Sequence, residues 1–135
     1  FQYVDFETAL RQADFVSLHS PATPQTRGFI NKAALAQMKP SAFLINTARG
    51  ELINENDLFD ALQQHRIAGA ALDAFQQEPA RDTRFFNLDN VILTPHAGGN
   101  SIEAIERMGL AAAQEVLRVL AGEAALHAVK PMPGK

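Results

Sequence analysis

The chain has 135 residues, 47% of them hydrophobic, with a formal net charge of −3 at pH 7 and no cysteine. That length holds one domain at most. The charge leaves no basic footprint for nucleic acid or an anionic membrane, and the lack of cysteine excludes a disulfide scaffold and thiol chemistry and fits a reducing compartment, so the expected location is the cytoplasm. No apolar run reaches membrane-span length, and no basic stretch followed by an apolar core reads as a signal peptide.

Residues 1–4 read as a short strand, and Asp5 is placed to cap a helix over 6–12 with Phe6, Leu10 and Ala13 on one face. Residues 15–19 form a strand that Pro21 and Pro24 end in a loop. Asn31 caps a helix over 32–38, stopped by Pro40. Residues 42–46 are the next buried strand, and Thr47, Ala48, Arg49 and Gly50 are its carboxyl-end turn. Asn54 caps a helix running to about His65, with Leu58, Ala61 and Leu62 facing inward and Asp57 in its first turn. Residues 67–72 are a strand rich in small side chains, which suggests a helix packed close against it; Asp73 lies at its end. A polar, irregular loop over 76–89 follows.

Val91, Ile92 and Leu93 read as a short strand buried on both faces. Pro95 stops its pairing, and His96 stands just past its carboxyl end, before Gly98 and Gly99. The glycines give this turn backbone freedom and room for close approach. Asn100 or Ser101 caps the last helix, and Glu103 is placed to complete a capping box from Asn100. That helix runs to about Ala121, where Gly122 supplies a left-handed stop. Its broad apolar set, including Ile102, Ile105, Met108 and Val116, predicts burial on more than one side. The tail from Lys130 reads as frayed. Residues 1–122 therefore form the folded domain and 123–135 its tail.

Strands alternating with helices at this spacing predict an α/β fold with a parallel, doubly wound sheet. His19, the Asn46 to Arg49 turn, Asp73 and His96 then all fall at carboxyl ends of successive strands. Open α/β sheets bind their ligands at that rim. A guanidinium at Arg49 can clamp a carboxylate with two parallel hydrogen bonds, or belong to an exposed loop. Glu78 beside His96 would orient the ring and favour a proton on it, or simply be a solvated loop residue. Asp73 can accept from an amide ligand or cap a turn, and His96 is either an acid–base group or a surface or helix-capping histidine. His65, near a helix end, offsets the helix dipole. No His-x-x-x-His or acidic cluster suggests a metal. Neither G-x-S-x-G, G-x-G-x-x-G nor a Walker loop occurs.

An ordered series of motifs resembles the D-isomer-specific 2-hydroxyacid dehydrogenase family, which includes phosphoglycerate, glyoxylate/hydroxypyruvate and D-lactate dehydrogenases. The series is Asp14-Phe15-Val16-Ser17-Leu18-His19-Ser20-Pro21, Thr26-Arg27-Gly28, Met38-Lys39-Pro40, Ile45-Asn46-Thr47-Ala48-Arg49-Gly50, Gly69-Ala70-Ala71-Leu72-Asp73-Ala74-Phe75 with Glu78-Pro79, and Thr94-Pro95-His96-Ala97-Gly98-Gly99. The resemblance implies that His96 is the acid–base group, that Glu78 pairs with it, and that Arg49 binds the substrate carboxylate. It further implies that His19, Ser20, Pro21, Thr47, Ala48, Arg49, Asp73, His96, Gly98 and Gly99 line the NAD site, with Asp73 holding the nicotinamide carboxamide. Formate-oxidising relatives carry glutamine where this chain has Glu78, so a small 2-hydroxy or 2-keto acid is the implied substrate. The residue that reads the adenosine ribose is not among these motifs, so NAD and NADP are not distinguished.

The family pattern further implies that the chain is the carboxyl-terminal part of a longer enzyme, a Rossmann-like domain lacking its first strands and inactive alone. In the strand order 3-2-1-4-5-6 this leaves the edge at 15–19 open, and an open parallel edge favours a homo-oligomer or other association. A corepressor-like NAD-binding protein that keeps the dehydrogenase fold and an inert remnant are the alternatives.

Overall fold

The computed structural model describes residues 1–129. The described residues divide into two compact units, Phe1–Gly98 and a second that begins at Gly99. The expected frayed tail from Lys130 lies outside the described residues.

In the first unit the chain runs α1 (Phe6–Gln12), β1 (Phe15–Leu18), α2 (Lys32–Gln37), β2 (Phe43–Asn46), α3 (Glu55–Gln63), β3 (Gly69–Leu72) and β4 (Val91–Leu93). Short 3₁₀ turns occupy Gly50–Leu52 and Thr83–Asn87. Residues 1–4 form no strand, contrary to the sequence reading: with Tyr3 almost fully exposed, they have no neighbouring strand to pair with. Each helix starts where a side-chain cap satisfies its first free N–H groups. The Asp5 carboxylate accepts from Thr8, Asn31 accepts from Ala33 and Ala34, and Asn54 accepts from Asn56 and Asp57.

The four strands pair in parallel in the order β1-β2-β3-β4. The register sets Leu18 beside Asn46, Asn46 beside Leu72, and Leu72 beside Leu93. All four carboxyl ends are therefore level. β1 stands at one edge, as the family pattern implies.

Alternation along the strands sends Val16, Leu18, Leu44, Ala70 and Leu72 to one face, where they join Leu10 of α1, Leu35 of α2, and Leu58 and Leu62 of α3 in a single core. The opposite face carries Phe15, Phe43 and Ile92, with Phe15 and Ile92 each 67% exposed. The expectation that the last strand is buried on both faces is thus not met. The helices of this unit that pack against one another, α1 on α2 and α2 on α3, serve the other face. Ala70 of β3 joins the helices in the core, as its small size suggests, but Gly69 points to the opposite face and has other neighbours. At Gly69 a Cβ would meet the Asn90 carbonyl at 2.6 Å and the Phe43 ring at 3.1 Å, so strand and loop, not a helix, require the small residue there.

The second unit is built on α4, Ile102–Leu120. Ser101 is its cap, accepting from Ala104 N–H, so the box from Asn100 does not form. Gly122 takes the expected left-handed conformation at φ 82°. None of the residues of α4 is buried, against the expectation of burial on more than one side. Among the described residues, no helix is long and apolar enough to cross a membrane.

Leu62, with no exposed surface, sits where α3 meets the core. Truncating it removes apolar contacts and leaves a cavity, so Leu62→Ala is expected to cost about 3 kcal/mol of unfolding free energy, measured by urea denaturation. A loss below about 1 kcal/mol would mean that this core is not close-packed.

Candidate active site

The level strand ends place four loops side by side. After β4, the segment 94–98 turns sharply, and the turn is held by one carboxylate. Asp73, 5% exposed, accepts from the Thr94 hydroxyl at 2.5 Å, from Ala97 N–H at 2.8 Å and from Gly98 N–H at 2.8 Å. These three hydrogen bonds, the Thr94 hydroxyl foremost, hold its carboxyl below the usual carboxylate range. Asp73 is therefore a turn cap, one of the two roles open to it from sequence. Oδ2 has a single partner in Gly98, which leaves it one further acceptor position.

Bracketed by those donors, His96 adopts a left-handed backbone with φ 54°. A non-glycine residue in this region is uncommon and persists only where its surroundings enforce it. The sequence reading assigned the conformational freedom to Gly98 and Gly99. The structure gives the unusual φ to the histidine itself. Gly98 instead provides space: a Cβ there would lie 2.9 Å from Asp73 Oδ2. Gly99 opens the second unit, with nothing within 4 Å of where its Cβ would stand.

Glu78 comes from the loop after β3. Its Oε1 accepts from Phe75 N–H at 3.1 Å, and its Oε2 lies 2.8 Å from His96 Nδ1. The hydrogen bond from His96, then that from Phe75, and the nearby charge of Arg49 hold the Glu78 carboxyl below its usual range. An ionised carboxylate only accepts, so Nδ1 carries the hydrogen. The lone pair of the neutral ring is then on Nε2, which has no hydrogen-bond partner among the described residues.

Arg49 follows β2 in a turn closed by Asn46. Asn46 Oδ1 accepts from Ala48 N–H at 3.1 Å, its Nδ2 donates to the Arg49 carbonyl at 2.9 Å, and Arg49 Nη1 donates to the Ala48 carbonyl at 2.7 Å. Gly50 continues this turn against the next loop. A Cβ on Gly50 would fall 1.9 Å from the Phe75 carbonyl carbon and 2.3 Å from Gln76 N, so only glycine lets the two loops lie together. Gln76 N–H donates to Glu55 Oε1 at 2.7 Å, and its side-chain amide donates to the Ile53 carbonyl. Arg49, Glu78 and His96 consequently line one open cleft of about 390 Å³, together with Gly50, Glu51, Phe75 and Gln76.

Of the remaining sequence-predicted residues, His19 directly follows β1 with its Nε2 2.8 Å from Ser17 Oγ, and Ser20 and Pro21 continue into the loop. Thr47 and Ala48 stand at the end of β2, one strand over. These positions fit the rim expected for the nicotinamide end of a dinucleotide, and Asp73 Oδ2 keeps an acceptor there. His65 follows Gln64, the C-cap of α3, in a left-handed conformation at φ 51°, and its N–H donates to the Leu62 carbonyl. The sequence reading missed Asn46, Thr94 and Gly50 as builders of the site. The visible signals were an amide ending an apolar strand, a hydroxyl one residue past another, and a glycine after the arginine.

A family profile described as the D-isomer specific 2-hydroxyacid dehydrogenase, NAD binding domain, matches residues 1–98. The chain belongs to this family. It is 45% identical over 122 residues to a glyoxylate reductase of Thermococcus litoralis, covering 90% of this chain and 37% of that protein. It is 43% identical over 125 residues to a D-3-phosphoglycerate dehydrogenase of Methanocaldococcus jannaschii, covering 93% of this chain and 24% of that protein. In structure it matches the D-lactate dehydrogenase of Lactobacillus jensenii, solved with NAD⁺, with a TM-score of 0.89 at 34% identity over 96% of this chain and 43% of that one. The chain thus spans between a quarter and about two-fifths of the length of these dehydrogenases. The matched profile ends where the first unit ends, so the sheet and the whole Arg49–Glu78–His96 cleft lie within the family's NAD-binding domain.

The Asp73 ties have a pH signature. A carboxyl whose folded value is depressed adds stability that is complete above its unfolded value, about 3.9, and is lost as pH falls through the lower folded value. Unfolding midpoints should therefore drop steeply below about pH 4 in the wild type. Asp73→Ala strands two amide donors and a hydroxyl, so it should cost about 2 kcal/mol at neutral pH and flatten that acid limb. An unchanged acid limb in the variant would contradict this assignment.

Proposed function

We propose that this chain forms the NAD-binding and catalytic part of an oxidoreductase that interconverts a small D-2-hydroxy acid and its 2-keto acid. The observation that supports this most is the 2.8 Å contact between His96 Nδ1 and Glu78 Oε2 beside Arg49 in one cleft. A hydroxy acid needs a cation for its carboxylate and a base for its hydroxyl, and the cleft offers both.

In this reading Arg49 binds the substrate carboxylate and polarises the C2 oxygen. In the oxidative direction neutral His96 takes the hydroxyl proton at Nε2, and the Glu78 carboxylate stabilises the imidazolium that forms. In reduction the protonated ring returns that proton to the C2 oxygen. NAD or NADP, when bound, supplies the hydride chemistry at C2. His19, Ser20, Pro21, Thr47, Ala48, Asp73, Gly98 and Gly99 would hold its nicotinamide end. The sequence holds no G-x-G-x-x-G turn, which carries a pyrophosphate on a helix N-terminus, so these residues alone should bind the dinucleotide weakly and turn over little. The location proposed is the cytoplasm.

The free edge of β1, where Phe15 is 67% exposed, is the proposed surface for association with a second copy or with further polypeptide. Sedimentation of this chain should show self-association; a monodisperse monomer with a sharp unfolding transition would contradict it.

The functional test is turnover of a panel of 2-keto acids with NADH by protein that joins this chain to a G-x-G-x-x-G turn. His96→Ala should lower kcat by about 10²–10⁴. Activity that survives loss of the imidazole would overturn the proposal.

A further inference from the structure

We propose that Asn46 is the positioning residue for Arg49: its buried amide pins the peptide groups on either side of the Ala48–Arg49 peptide, and the carbonyl of that bracketed peptide holds the guanidinium. The inference rests on the reading of Arg49 as the carboxylate clamp and adds what makes that clamp a defined site.

Asn46 is the last residue of β2 and its side chain has no exposed surface. A primary amide is a costly group to bury, and it is tolerated where both its donor and its acceptor are used. Both are used within the turn that follows. Oδ1 takes Ala48 N–H at 3.1 Å and Nδ2 gives to the Arg49 carbonyl at 2.9 Å, so the two peptides flanking Ala48 and Arg49 are fixed from inside the core. The Ala48 carbonyl, thus oriented, accepts from Arg49 Nη1 at 2.7 Å. Hydrogen bonds from a buried strand end thus bracket the one peptide group whose carbonyl accepts from the exposed guanidinium. The outer side of the turn is closed as well, because Gly50 lies directly on the Phe75–Gln76 peptide of the loop that carries Glu78.

The consequence is orientation. An exposed arginine on a free loop samples many rotamers, and a carboxylate that binds it must order it first. Here one rotamer is held by the turn before any ligand arrives. The arrangement needs a side chain of this size that both donates and accepts. Leucine would leave the Ala48 N–H and the Arg49 carbonyl unpaired. An ionised aspartate would accept from Ala48 but have no hydrogen for the Arg49 carbonyl. A protonated aspartic acid, with an O–H donor and a C=O acceptor, can replace the amide in both bonds.

In the wild-type chain, NMR relaxation of labelled arginine should report an ordered Arg49 guanidinium that does not change with pH across the range where the protein stays folded. In Asn46→Asp the guanidinium should be as ordered as in wild type while residue 46 is protonated and loosen as it ionises. Pyruvate affinity, read from the Arg49 resonances, should fall by about tenfold across the same step, while the signal of the Glu78–His96 hydrogen bond stays in place. Asn46→Ala should be loose at every pH. If the alanine variant does not fold, the aspartate variant carries the test alone, because its protonated form is its own reference. Equal order of Arg49 in wild type and in both forms of the variant would overturn the inference. So would a parallel loosening of His96, which would mean that residue 46 merely supports the whole site. A wild-type chain in which Arg49 order depends on residue 46 but no 2-keto acid binds would support the positioning and contradict the clamp reading, so the two failures are separable.

Discussion

The site depends on one hydrogen bond between an anchored carboxylate and a strained histidine. Glu78 is held by its own loop through Phe75 N–H and kept ionised by the groups around it. It can then only accept, which puts the hydrogen on His96 Nδ1 at 2.8 Å and the lone pair on Nε2. A single acceptor thus settles the tautomer, the ring orientation and which nitrogen is available for chemistry. The rest of the domain can be understood as the means of delivering these two residues and Arg49 to one cleft from distant parts of the chain.

Delivery is the work of the parallel sheet and three local ties. Level strand ends bring the loops together without any side-chain recognition between them. Asp73 then fixes the turn around His96, Asn46 fixes the turn around Arg49, and Gly50 lets the second of these lie against the loop of Glu78. The ties from Asp73 and Asn46 each use a polar side chain at a strand end to satisfy backbone groups that the sheet has left free. Backbone strain at His96 is tolerated because Asp73 holds the peptides just past it.

Most of the architecture was legible in the sequence because it depends on local signals. Caps at Asp5, Asn31 and Asn54 mark the helix starts, and the short apolar runs at 43–46 and 69–72 mark the strands. The convergence of Arg49, Glu78 and His96 was also legible, since strand ends in a parallel sheet meet along one rim. What was not legible depends on partners distant in sequence. Ile92 reads as a core residue from its neighbours, yet its face of the sheet receives no helix from this unit. Gly98 reads as a flexible residue, yet its importance lies in its distance from Asp73, and only the folded turn reveals that. The unusual φ falls on His96 for the same reason: the hydrogen bonds that compel it come from a residue 23 positions earlier in the chain.

Glu78 imposes one tautomer on His96. Long-range nitrogen–proton NMR on the histidine side chains of this chain tests it directly. Neutral His96 should carry its proton on Nδ1 alone, and replacing Glu78 with glutamine should release this restriction. A His96 ring protonated on Nε2 in the wild-type chain would contradict it.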